Sequence, residues 1–179
     1  TEENFMTHEE MLEEADRRES ANKEPEVTTD QMFEEGAEEF NGNIEGWDTG
    51  NVTNMTKMFR QASRFSNHDL SVWDVSKVTN MRAMFAYANL FDHDISSWNV
   101  SSVESMRRLF FGATSFDQSL ANWNISSVKD MTEMFNQAGI NSEYYDSTLL
   151  GWATLDTGET AIPNNITFNG GNCQYCASE

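Results

Sequence analysis

Cysteine, proline, histidine and basic side chains are all scarce in this 179-residue chain: two Cys, two Pro, three His, and eleven Lys plus Arg against thirty Asp plus Glu. The net charge of −19 favours solubility and opposes electrostatic binding to a nucleic-acid backbone or an anionic membrane. No apolar run approaches the roughly 18 residues of a transmembrane helix. Three His leave little for acid–base chemistry, and no phosphate loop, nucleophile elbow or metal-ligand set is present. The expectation is therefore no enzyme and no cofactor. Cys173-x-x-Cys176 lacks the two further ligands of a zinc site and the βαβ context of a thioredoxin-like motif. It reads as a local disulfide, or as two cysteines whose partners lie beyond Glu179. A disulfide would place the protein in an oxidising compartment.

What the chain does have is large apolar side chains (twelve Phe, ten Met and five Trp) and an uneven charge. Residues 1–40 hold fifteen acidic and three basic side chains, a net −12 of the total −19. Residues 1–27 read as an acidic arm with a few apolar residues, Phe5, Met6, Met11 and Leu12, and Pro25 interrupts any helix there. The chain begins at Thr1, which predicts a segment removed upstream.

Four sibling repeats fill residues 40–140: FNGNIEGWDTGNVTNMTKMFRQASR, FSNHDLSVWDVSKVTNMRAMFAYANL, FDHDISSWNVSSVESMRRLFFGATS and FDQSLANWNISSVKDMTEMFNQAGI. Their period of 25 or 26 residues signals stacked supersecondary units. In Ile95-x-x-Trp98-x-Val100 the alternation predicts a short strand with one buried face. From Met106 the apolar residues Met106, Leu109, Phe110 and Ala113 follow helical spacing, which predicts a two-turn helix. Asn54, Asn80, Ser105 and Asp130 stand just before it as N-caps. Each coil is thus expected to run strand, turn, short helix, loop, with strand edges paired from coil to coil at ~4.8 Å. Residues 28–39 read as an N-terminal cap. Residues 141–152 read as a C-terminal cap with a helix ending near Gly151-Trp152, closed by Tyr145, Leu149, Leu150 and Trp152. Residues 153–179 read as an extended tail carrying the Cys pair.

Ile95-x-x-Trp98-x-Val100 matches the leucine-rich-repeat strand rule. WDVSKVTNMRAMF and FDHDISSWNVSSVESM resemble the 26-residue repeat family of BspA-like bacterial surface proteins, found also in mycoplasma lipoproteins, gut bacteria and marine algae. The resemblance covers roughly Thr28 to Trp152. It implies an α/β repeat, a leucine-rich-repeat-like right-handed solenoid with one short strand and one short helix per coil. It also implies surface display or adhesion, and no catalytic site.

In that arrangement the strand residues alternating with Trp and Val face the concave side. Asp48, Asp74, Ser76, Ser97, Asn99, Ser101, Asn122, Asn124 and Ser126 form ladders there. These either bond to one another along the axis or make a polar strip for a peptide, a glycan or a cation such as Ca²⁺. Lys57, Arg60, Arg82, Arg107 and Arg108, with Tyr87 and Phe111, fall on the convex side. That is either an ordinary solvated face or a docking surface for an acidic partner, this chain's own arm included. His68 and His93 share a column, each followed by Asp (Asp69, Asp94), and could ligate Zn²⁺ or a similar ion; the column also reads as a tolerant loop position. An enzymatic reading would require a deep pocket beside it. The leading expectation is a non-enzymatic interaction or adhesion module with a protein partner and a glycan as second ligand class. The alternatives are a structural spacer or a metal-binding repeat protein. The expected location is the cell surface or an oxidising lumen, the alternative a peripheral subunit of an organellar complex.

Overall fold

The computed structural model describes residues 40–66, 68–154, 163, 166 and 168. The expected acidic arm, the N-terminal cap, most of the tail and the Cys173–Cys176 pair lie outside them.

The four repeats stack side by side in register. Parallel bridges link Asn54 to Asn80, Asn80 to Ser105 and Ser105 to Asp130, one per repeat seam. Behind each bridge runs a set of backbone rungs. At the first seam the N–H groups of Met55, Lys57, Phe59 and Gln61 donate to the carbonyls of Asn80, Arg82, Met84 and Ala86, each at 2.8 Å. Residues 81–87 repeat the pattern onto 105–111, and residues 106–112 onto 130–136.

These rungs fall where a helix was expected, and the helix is absent. An α-helix closes every N–H within its own segment and leaves nothing for a neighbour. Here every second N–H reaches the next coil, and those between close tight turns within the coil, as in Met58 to Met55 (3.3 Å) and Arg60 to Lys57 (3.0 Å). Such a path needs the left-handed region twice per coil. Lys57, Ala83, Arg108 and Glu133 have φ of 52–57°, and Gln61, Tyr87, Gly112 and Gln137 have φ of 61–69°. Seven of these eight are not glycine, a conformation costing about 1–2 kcal/mol each that the rungs must offset. The residues expected as N-caps instead make Asx turns: the side chains of Asn54, Asn80 and Asp130 accept from the N–H two residues on, at 2.9–3.0 Å.

No strand occurs in the other half of the repeat among the described residues. It consists of turns, closed by bonds such as Trp98 N–H to the Ile95 carbonyl (3.1 Å) and Val103 to Val100 (2.9 Å). Side chains join the coils here. The indole N–H groups of Trp73, Trp98, Trp123 and Trp152 donate to the carbonyls of Ile44, Leu70, Ile95 and Leu120 at 2.8–3.1 Å. Ser102 and Ser127 hydroxyls donate to the Ser76 and Ser101 carbonyls at 2.7 and 2.6 Å.

Between the halves lies the core, built from the columns the repeat predicts. Phe59, Phe85, Phe110 and Phe135 stack 5.6–5.8 Å apart. A second column, Phe65, Phe91 and Phe116, lies against the first, with Phe85–Phe91 and Phe110–Phe116 centroids both 3.9 Å apart. Val75, Val100 and Ile125 are buried, and in their column repeat 1 has Thr49, 3% exposed with its hydroxyl unpartnered. The stack ends on helix α1, Ser142–Trp152, capped by the Asn141 side chain accepting from Tyr144 N–H at 2.9 Å. Trp152 takes the fifth place in the tryptophan column and Tyr145 is buried, while Leu149 packs on the core edge. Leu150 does not close the core: it is 69% exposed. The buried Thr148 does so instead, accepting from the Leu120 N–H at 2.9 Å. Phe168 bridges Met131 in parallel and completes that end.

Candidate interaction surface

In-register stacking turns each outward position into a row across several coils. On the tryptophan-side face, Asp48, Asp74, Asn99 and Asn124 do not bond to one another along the axis. Each side chain accepts from the N–H two residues on, at 3.0–3.2 Å, within its own coil. Ser101 spends its hydroxyl on Asn99 (2.7 Å). The Ser76 hydrogen bonds hold the Asp74 carboxyl below the usual carboxylate range. Asn122 and Ser97 are exposed beside Val72, while Ser126 is half-buried with its hydroxyl unpartnered. The row therefore offers few uncommitted acceptors.

His68 and His93 do meet across a seam. The His68 N–H donates to His93 Nε2 (3.5 Å), and His68 Nε2 lies 3.1 Å from Asn41 Oδ1. Both rings pack on Phe65, and His93 also on Phe91. Burial, and then the His68 charge, pushes His93 below its ordinary value, against the pull of Asp92 and Asp69. Asp69 and Asp94 turn away to their own serines: Ser71 O–H and N–H donate to Asp69 (2.6 and 2.9 Å), and Ser96 N–H to Asp94 (2.9 Å). These bonds hold both carboxyls low. Among the described residues no group of three or more His, Cys, Asp and Glu converges as a metal site. A broad open cavity of about 560 Å³ does lie here, lined by Glu45, Ser66, His68, Asp69, Ser71, His93 and Asp94. No serine hydroxyl in it is hydrogen-bonded to an imidazole among the described residues.

The rung-side face gathers the cations. Of the eight basic residues beyond residue 40, Lys57, Arg60, Arg64, Arg82, Arg107 and Arg108 are in repeats 1–3, all but Arg64 within the rung segments. In the stacked register Arg82 and Arg107 share one column, with Thr56 and Thr132, while Lys57 and Arg108 share the next, with the buried Ala83 and with Glu133. Arg108 Nε binds Glu133 Oε2 at 2.6 Å and its guanidinium lies 5.4 Å from the Phe111 centroid. Phe111 meets Tyr87 edge to face at 5.3 Å, with Tyr87 41% exposed. Gly112 belongs to this cluster, because a Cβ there would lie 2.7 Å from the Tyr87 ring. Glu133, held low by Arg108, was not foreseen as part of the face. Burial raises Asp130, but the Thr132 hydrogen bonds and the charges of Arg107 and Arg82 outweigh it and leave the carboxyl low. Neither Arg82 nor Arg107 has an ion pair within 4.0 Å among the described residues, and Arg107 Nε is buried without a hydrogen-bond partner.

Among the described residues no helix is long and apolar enough to cross a membrane. A family model described as "Mycoplasma protein of unknown function, DUF285" matches residues 27–147. No curated protein and no solved structure matches the chain.

Proposed function

The chain belongs to this DUF285 family of unknown function, and we propose that it is a non-enzymatic interaction module that binds an acidic protein partner across several coils. In this reading the stack is a leucine-rich-repeat-like solenoid of the BspA-like kind, displayed at a cell surface or in an oxidising lumen. One observation carries the choice of face. Arg82 and Arg107 stand one coil apart in a single column without an ion partner among the described residues, in a chain with thirty acidic side chains. Two guanidinium groups at that spacing repel, and Asp130, the carboxylate that both charges reach, already accepts a hydrogen bond within its own turn. Beside them, Tyr87 and Phe111 supply the aromatic contacts that recur in protein interfaces. The tryptophan-side strip, by contrast, spends its carboxylates on its own turns.

The test is binding of a fluorescent decaglutamate peptide to the full chain at low salt. Arg82→Glu with Arg107→Glu is expected to weaken binding at least tenfold with the circular dichroism spectrum unchanged. An unchanged affinity would count against this face.

A further inference from the structure

We infer that the acidic N-terminal arm of this same chain is the resident occupant of the rung-side basic face, and that it must be displaced before another partner binds there. The inference rests on the reading of that face as a docking surface. Two features of the arm match two features of the face. Residues 1–27 carry ten acidic and three basic side chains, a net −7, opposite in sign to the arginine cluster. Their few apolar residues (Phe5, Met6, Met11 and Leu12) sit among those acids, as Tyr87 and Phe111 sit among the arginines. A ligand with carboxylates flanking a short apolar patch is what such a face takes, because the ring edges need apolar cover and the guanidinium groups need anions.

Geometry brings the arm there. The described chain starts at Phe40, which stacks on Phe59 at 6.2 Å and Phe65 at 6.0 Å. It therefore enters at the first coil, the coil of Lys57. From the first coil to the third the face spans about 10 Å at ~4.8 Å per coil. Ten extended residues reach about 33 Å, so residues 1–27 have ample length to return along it. Tethering supplies an effective concentration on the order of millimolar. An arm contact of only modest intrinsic affinity would then keep the face occupied, and one whose core is charge pairing would be released by salt.

The experiment compares three full-length proteins: the natural chain, an arm variant with Glu9→Gln, Glu10→Gln, Glu13→Gln and Glu14→Gln, and the Arg82→Glu, Arg107→Glu face variant. Each is titrated with fluorescent decaglutamate. The expected result is binding about tenfold tighter to the arm variant than to the natural chain, with the face variant weakest. Equal affinity of the natural chain and the arm variant, lost in the face variant, overturns the arm contact while leaving the face as a docking surface. No binding to the arm variant overturns the face and the arm contact together. A second measurement reads the contact directly. Arg82→Lys places an amine on the face, and carbodiimide coupling in the monomer is expected to join it to carboxyls of residues 2–19. Links to Asp130 or Glu133 alone, or links only between chains, overturn the inference.

Discussion

The two halves of each repeat solve one problem in opposite ways. Both must tie a coil to its neighbour, and neither does so with the element its residue pattern suggests. The rung half, helical in spacing, uses backbone bonds to the next coil. The tryptophan half, strand-like in spacing, uses indole and hydroxyl side chains. Outside its buried columns, the rung half should therefore tolerate side-chain changes that keep its unusual backbone. The tryptophan half should depend on the identity of single residues.

The strongest way to break this comparison is Trp98→Ala. It removes a large buried ring and the bond to the Leu70 carbonyl, and is expected to cost about 3–5 kcal/mol in urea unfolding. Trp98→Phe keeps most of the ring and should cost about 1 kcal/mol beyond the packing change, for the lost hydrogen bond. If Trp98→Phe costs no more than its packing change, the indole N–H contributes nothing to the seam. Next is Thr49→Val, which replaces a buried unpartnered hydroxyl with the side chain used by Val75 and Val100. It should raise stability by about 1 kcal/mol, seen as a higher denaturation midpoint.

A smaller effect carries the sharpest sign. Gln137 is exposed at φ 61°, so Gln137→Gly should stabilise by about 0.5 kcal/mol, the left-handed penalty relieved less the added chain entropy. In the interior of a helix the same change would destabilise by about 1 kcal/mol. Calorimetry of the two proteins thus separates rungs from helix by direction alone. The smallest effect is at the imidazole seam. His93 in the folded chain lies below its ordinary 6.5, so the unfolded chain binds the proton more readily. Its contribution to stability is complete above pH 6.5 and is lost as pH falls through the folded-state value. The melting temperature should drop from pH 6.5 downward in the natural chain. In His93→Gln it should hold until the acidic range, where the unfolded chain first protonates Glu133, ordinarily 4.5, and then Asp69 and Asp94, ordinarily 3.8, all held lower in the fold.

The repeat period made the buried columns legible. Phe65, Phe91 and Phe116 and the tryptophans and methionines of the repeats face the core as their spacing requires, Trp47 and Met58 only partly buried, and α1 ends at Trp152 as its sequence suggests. The backbone was less legible, for a physical reason. Spacing of i, i+3, i+4 and i+7 marks which side chains are buried, and a run of i to i−3 turns buries the same set as a helix. One clue existed in Gly112, the glycine of a column whose other members are Gln61, Tyr87 and Gln137; it hinted at positive φ. The Asx column before Met55, Met81 and Met131 predicts helix N-caps, and its side chains do accept from backbone N–H groups, but in Asx turns. Asx turns and N-caps draw on the same residues. The rung-side face could be read as basic, but that Arg82 and Arg107 act on Asp130 without a direct ion pair depends on folded geometry and could not.

The direction of the rungs has a consequence for symmetry. At each seam four backbone N–H groups of the rung half point from the earlier coil to the later one, while the indole donors and the N–H just before the bridge (Thr79, Glu104, Lys129) point back. A coil therefore presents different chemistry on its two sides, like a plug and its socket. Two identical ends brought together by a two-fold axis would set donors against donors along the rung half. Coil-to-coil growth of this stack is possible only head to tail. At the far end Phe168 and Trp152 already occupy the positions that the next coil would take, so the length of the array is fixed by its own terminus.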